Sequence, residues 1–191
     1  HLHKDYKKSA YFLKIANEEK IKIQPSDIKR KLNTGEYYRN LKTDKTLNIK
    51  RTTNNNQYLF IVGMPRCGST LLESILSLNP AVKDLGEVPF LEESLNSTND
   101  LFEVNNLYSE KVVTINSQKK IFTDKNLFNF LYCHVICNFF PNARVIHCIR
   151  NPLDNILSIY RTNFLNQSFS SSLNDITELY LYHLKIMNEY K

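Results

Sequence analysis

Glycine is scarce in this chain, 4 of 191 residues, yet three of the four, Gly63, Gly68 and Gly86, fall close together. No apolar run reaches the roughly 18 residues of a membrane helix, and the opening HLHKDYKKSAYFLK is polar and charged. Neither a membrane span nor a signal peptide is read from it. The four cysteines form no CxxC pair and keep no company of histidines, which argues against zinc and against a disulfide framework. Cys133 and Cys137 lie one helical turn apart and read as plain buried thiols. Such usage suits a reducing compartment, and a cytoplasmic location is expected. The chain opens on His1 and stops at Lys191 inside a helical pattern, so a piece of a longer protein, incomplete at its C terminus, is expected.

Apolar residues make up 42% of the chain, enough to build a core at this length, and the net charge of +6 favours an anionic ligand where it is more than biased composition. Tyr6, Ala10, Leu13 and Ala16 recur at helical spacing within Lys4 to Glu19. A short basic helix around Asp27 to Leu32 follows, ended by Gly35. The polar RTTNNNQ, Arg51 to Gln57, links to a buried strand at Tyr58 to Val62. A helix from Ser69 to Leu78, with Leu71, Leu72, Ile75 and Leu76 inward, stops at Asn79-Pro80. A second helix starts near Pro89, a short strand covers Ile121 to Thr123, and a third helix runs from about Leu127 to Phe139. Ala143 to Arg150 gives another strand, Pro152 to Tyr160 a helix, and Leu173 to Tyr190 a final long helix. Strands alternating with helices predict an α/β fold of three layers, a parallel sheet flanked by helices, like that of the phosphate-loop proteins.

The loop GMPRCGST follows the strand at Tyr58 to Val62 and precedes a helix. Gly63 and Gly68, with four residues between them, keep the spacing of the nucleoside-triphosphate loop, but Ser69 stands where that loop has its lysine, and Arg66 lies inside it. Glycine lets backbone approach a ligand closely, and the helix start presents unpaired N–H groups to an anion. Phosphoryl transfer by loop enzymes also needs a metal-holding Asp at another strand end. The strand at Ala143 ends instead in Arg150, and Asp124 is followed by Lys125, which would repel a cation. No metal site is predicted, and the ligand is expected to carry two separated anionic groups.

The stretch FIVGMPRCGSTLLESIL resembles the 5′-phosphosulfate loop of sulfotransferases, which use 3′-phosphoadenosine 5′-phosphosulfate, and FPNARVIHCIRNPLDNILSIY resembles their 3′-phosphate segment. GEVPFL and TDKNLFNF between them resemble the branch with N-terminal tetratricopeptide repeats, which is similar to the tyrosylprotein sulfotransferases. The match spans about Tyr58 to Tyr160, and the helix at Lys4 to Glu19 is similar to the tail of a repeat array. The implied division is a helical appendage with its linker at residues 1–50 and a sulfotransferase domain at 51–191. The resemblance implies that Pro65, Arg66, Cys67, Gly68, Ser69 and Thr70 wrap the 5′-phosphosulfate. Family loops often carry Ser at the Cys67 position. Arg150 and Ser158 would hold the 3′-phosphate; their spacing, a strand end and two helical turns, allows one anion to be reached by both.

By the same resemblance Glu87 is the general base, although around Gly86 the register departs by one residue from the tyrosylprotein branch; the bland alternative is a cap for the helix near Pro89. Lys125 would stabilise the leaving oxygen, with an exposed lysine as its alternative, and Arg66 would neutralise the equatorial oxygens of the transferring group. The implied acceptor is a hydroxyl, on protein tyrosine or carbohydrate, and no nucleic-acid partner is expected. His147 and His134 read as structural, while LEES, Leu91 to Ser94, and the charges of KKIFTDK read as solvated surface. A small-molecule kinase with a degenerate loop and a non-catalytic repeat-type module are the competing readings. The first lacks the lysine and the strand-end Asp; the second leaves Arg150, Ser158 and the loop without a reason.

Overall fold

The computed structural model describes residues 5–41, 56–116 and 118–191. The linker at residues 51–55 and the junction at 42–50 between the two expected divisions lie outside them. Two helices open the chain, α1 at Tyr6–Ile23 and α2 at Ile28–Arg39. Asp5 caps α1 by accepting from the Lys8 N–H. Gly35 does not end the second helix: it lies inside α2, where an added β-carbon would stand 2.5 Å from Tyr182 Oη. The residue is small because another helix passes there, not because the chain turns.

The sheet is built from β1 at Gln57–Gly63, β2 at Val82–Asp84, β3 at Ile121–Asp124 and β4 at Ala143–Cys148. All neighbours are parallel, in the order β2-β3-β1-β4, as the predicted α/β class requires. The most apolar strand, β1, takes a central place, and its register with β4 runs from Tyr58↔Ala143 to Gly63↔Cys148. Alternation sends Tyr58, Phe60 and Val62 to one face. There they meet Tyr108, Phe122 and Phe140 in a cluster of edge-on and tilted rings. Tyr108 comes from α5, Leu101–Ile115, which with α4, Phe90–Ser97, links β2 to β3. Neither β2 nor α5 is foreseen above. Leu91 and Ser94 of the LEES stretch are fully buried, while Glu92 and Glu93 stay exposed, so only the charged half of that stretch is surface.

The other face carries α3, Ser69–Leu76. Its rotation departs from expectation: Leu71 and Ile75 are 68% and 55% exposed, whereas Ser69 and Glu73 are buried. Glu73 accepts from Thr123 Oγ1 at 2.9 Å and from the Gly86 N–H at 3.3 Å. Those bonds turn the Ser69–Glu73 row toward the sheet and carry the Leu71–Ile75 row, about 200° round the helix, to the outside.

Beyond β3, the single helix expected from Leu127 to Phe139 is a 3-10 segment, Leu127–Tyr132, followed by α6, Cys133–Phe139. Cys133 is buried there, its Sγ 3.7 Å from Met187 Sδ, but Cys137, one turn on, is exposed. β4 ends at Cys148, two residues before Arg150, and leads into α7, Pro152–Tyr160. Asn151 caps α7 by accepting from the N–H groups of Leu153 and Asp154, with Pro152 in the first turn. The last helix is α8, Leu173–Glu189. It brings His183, 1% exposed, against His147 of β4, with their Nε2 atoms 2.7 Å apart. His134 bonds through Nδ1 to Tyr190 Oη. These histidines make contacts within the fold.

The first two helices pack on the sheet unit. Asn17 Nδ2 donates to the Tyr160 carbonyl, Asp27 Oδ1 accepts from Ser168 Oγ and the Phe169 N–H, and Arg39 pairs with Glu189 at 2.6 Å. Among the described residues no helix is long and apolar enough to cross a membrane.

Candidate active site

At the C-terminal end of β1 the chain reverses into α3 through Met64 to Gly68. Gly68 sits at the N-cap with φ of 98°, and Arg66 has φ of 67°, the one non-glycine residue with positive φ among those described. These two left-handed residues, one on either side of Cys67, bend the loop over the helix start. The first helical bond of α3 runs from the Leu72 N–H to the Gly68 carbonyl, so the N–H groups just before it have no partner within the helix. A left-handed residue is strained unless its surroundings hold it, and here three side chains from the β4–α7 segment do so. Asn155, 1% exposed, donates from Nδ2 to the Pro65 carbonyl at 2.7 Å. Arg150 Nη1 donates to the Arg66 carbonyl at 3.0 Å, and Arg66 Nε donates to Ser158 Oγ at 3.4 Å.

A cavity of about 890 Å³ opens against this loop, lined by Pro65, Arg66, Cys67, Gly68, Ser69, Thr70, Glu87 and Arg150, with Asn126, Phe128 and Phe164 among the residues of its walls. Of the expected cofactor residues only Ser158 is not in the lining; it stands behind Arg66, within reach of its guanidinium. Of the expected catalytic residues, Glu87 and Arg66 line the cavity. Lys125 stands behind Glu87, its Nζ 2.8 Å from Glu87 Oε1.

Lys125 is 6% exposed and Asp124 1%, so the KKIFTDK charges are not all surface. Their burial follows from β3 ending under the turn that contains Gly86: the Lys125 N–H donates to the Gly86 carbonyl, and Asn126 Nδ2 to the Val88 carbonyl. The exposed-lysine alternative for Lys125 falls with this. The capping alternative for Glu87 has no support in the geometry, since α4 starts after Pro89 with no side-chain cap; the Glu87 carboxylate meets Lys125 instead.

Asp124 accepts from Tyr108 Oη, the Asn126 N–H and Asn129 Nδ2 at 2.9–3.1 Å. Burial outweighs these donors and raises its pKa to about 7. Its oxygens are turned into the fold and occupied there, which leaves them poorly placed to hold a metal for phosphoryl transfer. Among the described residues no group of three or more His, Cys, Asp or Glu side chains is arranged to hold a metal ion.

Sequence reading missed Asn155 and Glu73. Both sit on helices that carry other polar residues, so nothing in the pattern singles them out as buried; the partners that decide it, Pro65 and Thr123, lie far along the chain.

A sequence model of the sulfotransferase family matches residues 58–104 and again 91–190. The chain belongs to that family. It is also similar to an uncharacterized protein of Aquifex aeolicus (strain VF5), 33% identical over 129 residues, which are 56% of this chain and 17% of the relative. The chain thus spans a small part of that protein's length.

Proposed function

We propose that this chain carries the cofactor cradle and the catalytic groups of a sulfotransferase that moves a sulfuryl group from 3′-phosphoadenosine 5′-phosphosulfate to an acceptor hydroxyl. One observation carries the reading: Arg66, Arg150 and Ser158, from a loop, a strand exit and a helix, converge at one end of a cavity whose floor is a helix N-terminus. The cavity's size lies within the range of small-molecule sites. Its cations and N–H donors suit a ligand with two anionic ends.

The cofactor supplies an activated sulfuryl group. The chain supplies position and charge. The loop N–H groups and Arg66 hold the 5′ end, with Pro65 and Cys67 to Thr70 shaping the cradle, while Arg150 and Ser158 hold the 3′-phosphate. Glu87 takes the proton of the acceptor hydroxyl as its oxygen attacks sulfur. Lys125, bonded to Glu87 from behind, is the cation assigned to the leaving oxygen, and Arg66 offsets charge on the equatorial oxygens. Protein tyrosine is the leading acceptor and carbohydrate the next. We assign the chain to the branch with tetratricopeptide repeats, its domain at residues 51–191 and its helical appendage at 1–50, on the residues quoted above.

The test is transfer of labelled sulfuryl from the cofactor to a panel of a tyrosine peptide, an oligosaccharide and a simple phenol, with the chain embedded in its full-length protein. Label on the tyrosine peptide ahead of the others is expected. Label on the oligosaccharide alone overturns the acceptor, and transfer of phosphate from ATP overturns the reaction.

A further inference from the structure

Two thiols meet at the wall of the cradle, and the reaction above uses neither side chain. Cys67 belongs to the loop and lines the cavity. Cys148 is the last residue of β4 and the register partner of Gly63. A β-carbon added at Gly63 would stand 3.3 Å from Cys67 Sγ and 3.4 Å from Cys148 Cβ. The two side chains therefore share the space that the glycine leaves open. Both are partly accessible.

The Cys148 thiol beside it, together with the Ser69 N–H, favours the charged form of Cys67 and, against the effect of burial, lowers its pKa to about 6. The neighbouring Cys67 and burial raise that of Cys148. At neutral pH Cys67 is thus a thiolate with a protonated thiol beside it, the arrangement of an attacking and a resolving cysteine. Burial raises the Cys133 pKa, and partial shielding raises that of the more exposed Cys137, so both are the poorer nucleophiles.

We propose that Cys67 and Cys148 form a reversible dithiol–disulfide site that closes the cradle, so that the chain binds its anionic cofactor only while the pair is reduced. The effect on binding rests on the sulfotransferase reading; the disulfide itself does not. The oxidant is a low-molecular-weight disulfide such as oxidised glutathione. The Cys67 thiolate attacks one of its sulfurs and releases one glutathione thiolate. Cys148 then gives up its proton to solvent, attacks Cys67 Sγ in the mixed disulfide and expels the second glutathione thiolate. The pair, one thiolate and one thiol, loses two electrons and one proton, and one oxidised glutathione becomes two glutathione thiolates, one of which can take up that proton. The bridge pulls on the residue between Arg66 and Gly68. It thereby shifts the carbonyls that Arg150 and Asn155 hold, together with the N–H groups that face the anion.

The 191-residue chain, reduced and freed of reductant, is incubated with oxidised glutathione at neutral pH. It is digested without reduction for mass spectrometry, and a parallel sample is titrated with adenosine 3′,5′-bisphosphate. A peptide pair joined through Cys67 and Cys148 is expected, lighter by two hydrogens. An affinity loss of at least about 10-fold should accompany it, and dithiothreitol should reverse both. In Cys148→Ala a glutathione adduct should remain on Cys67. A persistent adduct on Cys67 in the unsubstituted chain, or first reaction at Cys137, overturns the site. A bridged chain with unchanged affinity overturns its control of binding. A reduced chain that ignores the bisphosphate overturns the cofactor reading and the control with it, while the bridged peptide still upholds the dithiol.

Discussion

The loop after β1 and the turn after β3 both follow a central strand and both carry a cation toward the same end of the sheet, yet they treat their polar groups in opposite ways. After β1, Arg66 is exposed, two residues take positive φ, and the helix N–H groups face a cavity. After β3, Asp124 and Lys125 are buried and hold three side-chain or backbone donors and one carboxylate between them. The first leaves donors for a ligand to occupy. The second satisfies its own groups and so fixes where Glu87 can stand. Binding and buttressing are divided between two neighbouring strand ends, and the division can be broken from either side.

The largest effect is expected at the meeting point of the two. Glu87→Gln should lower turnover by about 100- to 10,000-fold, the range for a general base, with bisphosphate affinity nearly unchanged. Normal turnover in the full-length variant would remove Glu87 from the chemistry and leave it as a partner of Lys125. On the binding side, Arg150→Ala should weaken bisphosphate binding by ~1.5–3 kcal/mol, a lost charged hydrogen bond, and calorimetric titration reads this directly. Unchanged affinity would reduce Arg150 to a brace for the Arg66 carbonyl.

The buttressing side should respond to pH. The folded-state pKa of Asp124 is raised, to about 7, so the folded chain binds the extra proton and stability falls as pH rises toward that value. His183, lowered to about 3 by burial and by His147, acts with the opposite sign over the same window, so a difference between two chains is needed. Between pH 5 and 7 the stability of the unsubstituted chain relative to Asp124→Asn should drop by about 2 kcal/mol, measured as urea midpoints. Parallel curves would mean that Asp124 is ionised throughout.

The smallest effect is expected at Arg66. Arg66→Lys keeps the charge but loses the planar two-pronged contact, and turnover should fall at least ~10-fold, on the order of 1.4 kcal/mol of barrier, with affinity moving much less. Equal losses in both would make Arg66 a holder of the cofactor and leave Lys125 as the catalytic cation.

The two segments also differ in how far the sequence reveals them. The β1 loop was legible because its cause is local: an apolar run, two glycines at a fixed spacing and the start of a helix lie within twenty or so residues. Its brace was legible only in part. Arg150 and Ser158 came from resemblance, whereas Asn155, which donates to the Pro65 carbonyl, carries no signal of its own. The β3 turn was not legible, because the burial of Asp124 and Lys125 depends on Tyr108 of α5 and on the Gly86 turn, two distant points of the connection that leads from β2 to β3. The rotation of α3 failed for the same reason. Apolar periodicity put Leu71 and Ile75 inside, but the Glu73 bonds to Thr123 and Gly86, across 50 and 13 residues of chain, decided otherwise.

If the loop after β1 is a cradle for a nucleotide phosphorylated at both its 5′ and 3′ positions, titration of the 191-residue chain will show the preference. In the presence of EDTA, adenosine 3′,5′-bisphosphate should bind and ATP should bind far more weakly, with the preference lost in a chain carrying Arg150→Ala and Ser158→Ala together. Magnesium-dependent binding of ATP as tight as that of the bisphosphate, or tighter, would make the loop a nucleoside-triphosphate site instead.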